Sequence, residues 1–165
     1  MAEQRVFSRF LDTNGDGTGT INAIGNYSSS ATDFYIKSDG KRYNISRMIV
    51  TAEDANGMTA SEYGNLGSAL TNGIRVLLLD VDGNVSEDLA PIPVKTNAQW
   101  AMYCYDANVL GWGNGDDLLA VRWTFVKAGE PLEIGPGVGE KSFVVRLNDD
   151  FSGLVSHRFL IEGTY

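Results

Sequence analysis

The chain has 165 residues, 43% of them hydrophobic, and sets 21 Asp and Glu against 13 Lys and Arg for a net charge of −8. That length suits one domain with a buried core. The acidic surplus speaks against a nucleic-acid grip, which neutralises phosphates with Lys and Arg, and against docking on anionic lipid.

A single cysteine, Cys104, leaves no internal disulfide, and a single histidine, His157, excludes a metal site built from several imidazoles. Glycine is abundant, with 19 residues against 4 prolines, which predicts many tight turns.

Residues 1–11 (MAEQRVFSRFL) form a locally basic stretch on an acidic body, because Arg5 and Arg9 outweigh Glu3. There is no apolar core of a signal peptide here, and no stretch approaches the ~18 apolar residues of a membrane span. Synthesis and assembly in the cytoplasm are the expectation, so Asn-x-Ser triplets at Asn26, Asn44 and Asn84 read as chance matches. Phe7 and Phe10 are costly to leave in water. Residues 1–20 are therefore expected to be an extended arm and polar Gly-rich segment that docks on a neighbouring subunit, with residues 21–165 forming one β-sandwich domain.

Within Asp12–Thr18 (DTNGDGT), Asp12, Asn14 and Asp16 stand at the first, third and fifth positions of a calcium-loop pattern, with Gly17 at the sixth. The twelfth position should carry a bidentate Glu and is Ala23. An Asx turn bonding its own backbone accounts for the segment more simply, which leaves it a weak calcium candidate.

After residue 32 the chain falls into short apolar runs bounded by turn residues. Strands are predicted near Asp33–Lys37, Tyr43–Ala52, Ile74–Val81, Val85–Leu89, Gln99–Tyr105, Asp117–Lys127, Ser142–Asn148 and Leu154–Glu162. Alternation is clearest late in the chain, where Leu119, Val121, Trp123 and Phe125 share one face. Phe143, Val145 and Leu147 alternate with polar neighbours, as do Val155, His157, Phe159 and Ile161.

The run Ile74–Leu79 is apolar on both faces, which predicts a central strand covered on its outer side by a loop or another subunit; Leu77 and Leu79 are the self-association candidates. Asp82-Gly83 signals a hairpin. Thr59 and Glu62 match a capping box, with Tyr63, Leu66 and Leu70 at helical spacing, so a short helix is predicted over Thr59–Leu70. Eight strands and one helix predict an all-β fold: a two-sheet antiparallel sandwich, jelly-roll-like, with an immunoglobulin-like sandwich as the alternative.

Catalytic constellations are weak. Gly135–Ser142 (GPGVGEKS) has the wrong spacing for a phosphate loop and leads into a strand. The pairs Asp116-Asp117 and Asp149-Asp150 sit at strand ends, where aspartate caps turns. His157 lies in register with core residues and is expected to be a half-buried, hydrogen-bonded imidazole. Trp112, between glycines, is the exposed-aromatic candidate, as a sugar-binding ring or an interface anchor.

Three stretches carry a family likeness: Phe10–Thr18 (FLDTNGDGT), Glu62–Ile74 (EYGNLGSALTNGI) and Leu147–Phe159 (LNDDFSGLVSHRF). Here the chain resembles small virion-associated structural proteins of tailed bacteriophages, especially marine and cyanobacterial phages. The resemblance implies a non-enzymatic virion protein that assembles in the host cytoplasm, without cofactor. A capsid decoration (cement) protein is the leading expectation, with a tail or head–tail neck component as the alternative. Its implied partners are the major capsid protein and further copies of itself, a trimer in preference to a dimer, with no nucleic acid and no membrane. Arg5, Phe7, Arg9 and Phe10 are then the capsid-contact candidates. A carbohydrate-binding module that uses Trp112 for host attachment is the reading from a different class.

Overall fold

The computed structural model describes residues 3–17, 24–54, 69–104, 106–111, 117–125, 132–137 and 140–165. Among the described residues, ten strands run in chain order: β1 (Val6–Phe10), β2 (Thr32–Lys37), β3 (Tyr43–Asp54), β4 (Arg75–Asp80), β5 (Val85–Asp88), β6 (Asp106–Gly111), β7 (Asp117–Thr124), β8 (Leu132–Ile134), β9 (Glu140–Leu147) and β10 (Ser156–Thr164). They make two antiparallel sheets. One follows the order β1-β10-β3-β7-β6, with β8 also pairing β3, and the other follows β2-β9-β4-β5.

The pairings are nested. β1 meets β10, β2 meets β9, β3 meets β7 and β4 meets β5. A long hairpin rolled over itself produces this pairing, and it is compatible with the expected jelly roll. β6 and β8 are additions to the larger sheet.

The core lies between the sheets. β3 sends in Tyr43, Ile45, Met48, Val50 and Ala52, and β10 sends in Phe159 and Ile161. Phe34 and Ile36, Phe143, Val145 and Leu147, and Val76 and Leu78 close it from the second sheet. Leu119, Val121 and Trp123 are buried as their alternation predicts, with Phe125 packed partly against them.

Along β3 the inward set changes parity between Ile45 and Met48. The cause is a bulge: Glu162 opposes Arg47 but Gly163 opposes Ile45, which leaves Ser46 as the extra residue.

Three expectations are corrected. Val6–Phe10 is not a free arm but an edge strand of the chain's own sheet, because Phe7 finds its apolar partners at home. Its ring meets Tyr43 edge-on at 5.0 Å and lies 6.4 Å from Tyr165. The predicted strand Gln99–Tyr105 is instead a 3₁₀ helix over Asn97–Met102. There Thr96 and Gln99 form a reciprocal capping box, and Trp100 is fully buried.

Leu77, offered as a self-association residue, has no exposed surface within the single chain, and its neighbour across the sheet, Val144, is also buried. The outer side of β4 is thus covered at that point by the folded chain itself, although Leu79 stays half-buried. The predicted helix over 59–70 falls, for residues 59–68, outside the described residues, as do Trp112 and Asp116.

The Asp82-Gly83 hairpin forms as predicted. Gly83, at φ 82°, donates its amide to the Asp80 carbonyl at 3.1 Å, and the Asp80 carboxylate accepts from the Asp82 and Asn84 amides at 2.9 Å each.

Replacing Thr96 with alanine removes one half of the capping box and is expected to cost about 1 kcal/mol. A domain of this size should then melt roughly 2–4 °C lower, as read by circular dichroism.

Candidate interaction surface

The chemistry-bearing candidates separate in space. Asp12 is buried, and its Oδ1 accepts from the amides of Asn14 at 3.1 Å and Gly15 at 2.6 Å. This is an Asx turn. Its backbone also ties the segment to β2, since the Tyr35 amide donates to the Asp12 carbonyl at 2.9 Å. Asn14 and Asp16 point outward.

Asp149 and Asp150 likewise serve turns. The Asp149 carboxylate accepts from three successive amides, Thr71 at 2.8 Å, Asn72 at 3.1 Å and Gly73 at 2.9 Å. Asp150 accepts from the amide and hydroxyl of Ser152, which hold its carboxyl below the usual range. Cys104 is buried, with its thiol donating to the Trp100 carbonyl at 3.0 Å.

His157 is fully buried. Among the described residues neither ring nitrogen finds a hydrogen-bond partner, so the expected half-buried, hydrogen-bonded imidazole is corrected on both counts. The ring is stacked on Phe151 at 5.2 Å and meets Phe159 edge-on at 4.6 Å. Burial pushes its pKa down to about 3. Tyr43, enclosed in the core, has its phenol pushed up chiefly by burial.

One surface gathers several candidates. On the outer face of the larger sheet, Phe10, Leu160 and Ile49 lie side by side across β1, β10 and β3, each half-buried, with exposed Arg122 next in the row. The adjacent row is Ser8, Glu162, Arg47 and Thr124, in which Arg47 and Glu162 form an ion pair.

This second row floors a groove of about 560 Å³, whose lining includes Val6, Ser46, Gly163 and Thr164. The bulge at Ser46 and Gly163 supplies the bend that opens it. Val6, at the rim, is 84% exposed.

β1 also ends the sheet. Arg5 exchanges both backbone hydrogen bonds with Tyr165, and the Leu11 amide donates to Phe159. The odd-numbered residues therefore face β10, while Val6, Ser8 and Phe10 turn their amides and carbonyls to the open edge.

Of the four contact candidates, Phe10 belongs to this surface, while Arg5, although exposed, shares the parity of Phe7 and spends its backbone hydrogen bonds on Tyr165. Phe7 is spent in the core, and Arg9 donates to the Asp16 carbonyl at 3.3 Å. Val6 and Ser8 were missed. The signal for them was the alternation V-F-S-R-F, which marks which residues share the outer face once the segment is read as a strand.

No protein-family model, no curated protein and no solved structure matches the chain. The functional reading therefore rests on its own residues.

Proposed function

We propose that this protein is a non-enzymatic structural component of a bacteriophage virion, a capsid decoration protein that clamps neighbouring capsid subunits. The observation that carries the reading is the β1 edge with its groove. An open strand edge beside a concave, partly apolar sheet face offers main-chain hydrogen bonds and side-chain pockets to an extended segment of a partner. Proteins that do not use such an edge usually blunt it with charge, proline or a covering loop. The likeness of the three quoted stretches to phage virion proteins supports the same reading. A jelly-roll-compatible sandwich is at home among viral capsid proteins, although that support is by analogy of fold.

The contact residues in this proposal are Val6, Ser8 and Phe10, with Leu160 and Ile49 behind them. Deleting residues 1–11 would strip an edge strand from the fold, so point variants are the proper test. Val6→Asp and Ser8→Pro leave the Phe7 anchor in place, and both should melt within a few degrees of wild type. In co-sedimentation with purified expanded heads, each is expected to weaken binding at least ten-fold. Wild-type protein that fails to sediment with heads overturns the decoration role, and variants that bind as wild type does place the contact elsewhere.

A further inference from the structure

We infer that His157 is an acid latch: protonation of this imidazole, packed between two phenylalanines without a hydrogen bond, drives out Phe151 and frees the 148–155 loop from the sandwich. Buried polar groups in folded proteins are almost always paired, so an imidazole with both nitrogens unsatisfied is an exception that needs a reason. A neutral ring is tolerable against Phe151 and Phe159. A cation there would have no counter-ion and no acceptor.

The charged and titratable groups on the surrounding elements are engaged elsewhere. Asp149 faces the amides of residues 71–73, and Asp150 faces Ser152. On β3, Ala52 stands opposite His157, while Glu53 accepts from the Ser156 hydroxyl on the other face of the sheet. Tyr27 donates its hydroxyl to the Ile24 carbonyl, and Asp12 serves its own turn. In the facing sheet, Asp33, Tyr35, Lys37 and Arg146 alternate with the core residues and look outward. Among the described residues, therefore, none compensates a charge on the ring.

What the latch would release is specific. Phe151 donates its amide to the Gly25 carbonyl at 2.7 Å, and the Asp149 carbonyl accepts from Tyr27 at 2.9 Å. Together with the Asp149 carboxylate, these bonds make the 148–155 loop the common anchor of residues 24–27 and 71–73. If Phe151 leaves, all three segments loosen together.

The sign follows from linkage. The folded pKa, about 3, lies below the ordinary 6.5, so the open form binds the proton first. The closed form is unaffected above pH 6.5 and loses ground steadily as pH falls from 6.5 towards 3. Opening should be favoured about twenty-five-fold at pH 5 and about two-hundred-fold at pH 4 relative to pH 7.

Because the chain has one histidine, ring NMR reports on it without ambiguity. In wild-type protein the closed-state ring should stay neutral down to pH 4, while the amides of Tyr27, Thr71, Asn72, Gly73 and Phe151 lose exchange protection between pH 6.5 and 4, after correction for intrinsic rates. Amides in the middle of β3 should hold. In His157→Phe, or in His157→Leu if the larger ring does not fit, the same amides should keep their neutral-pH protection. A ring that titrates near 6.5 in the intact fold overturns the latch. So does a variant with wild-type pH dependence, or loop amides that open no earlier than β3.

Discussion

Gly163→Ala is expected to destabilise the protein by about 3 kcal/mol, against about 1 kcal/mol for Gly83→Ala. The two glycines differ in what surrounds them. At Gly83 the backbone has φ 82° and nothing lies within 4 Å of an added Cβ, so alanine meets only left-handed strain. At Gly163 the added carbon would sit 1.9 Å from the Asn44 carbonyl oxygen and 3.0 Å from the Ile45 Cα. Those are backbone atoms of β3, so the only relief is to part the strands at the bulge. Phe7 opposes Gly163 from the other side, so β1 would be disturbed as well. At roughly 2–4 °C per kcal/mol for a domain of this size, thermal melts should separate the two variants by several degrees. Equal melts would mean that β3 and β10 do not approach so closely.

The second large effect is expected at Asp149. Its two carboxylate oxygens accept from three consecutive amides, and the residue is 6% exposed. Asp149→Ala leaves the buried Gly73 amide without its acceptor, while the exposed Thr71 and Asn72 can turn to water. With charge-assisted bonds lost and one donor stranded, the cost should be about 2–4 kcal/mol. Asp149→Asn keeps Oδ1 for Thr71 and Asn72 but sets an amide group against Gly73, so an intermediate loss is expected. Urea denaturation read by tryptophan fluorescence can rank the three proteins. An alanine variant as stable as wild type would show that the 71–73 turn does not depend on this carboxylate.

The parts of the fold that were legible are those where alternation runs undisturbed. In β7 and β10 the apolar face is set by every second residue, and the sheet obliges because one side is wet. In β3 the pattern could not be followed through Ser46, since a bulge adds a residue and inverts which side chains point inward. β1 was misread because a short apolar run beside a polar segment gives no hint of its partner, which lies at the far end of the chain.

The 3₁₀ helix was misread for the opposite reason. The rings of Trp100, Tyr103 and Tyr105 in and after it suggest a strand, and they outweighed the local signal of the Thr96-Gln99 capping pair that starts it. The groove was not legible because a bulge shapes it, with no motif to announce it. The isolation of His157 likewise depends on Phe151, a loop residue that no period places beside it.

The nesting of strands has a consequence for how the protein is made. Val6 must find Thr164, and β2 must find β9, so these pairings wait until residues more than a hundred positions downstream have left the ribosome. At ordinary elongation speeds the β1 segment remains unpartnered for roughly ten to thirty seconds. Such long-range closure is slow in its own right. During that interval the nascent polypeptide carries bare hydrophobic segments, Phe7 among them, and its yield in the cell should depend on chaperone supply more than the stability of the finished domain would suggest.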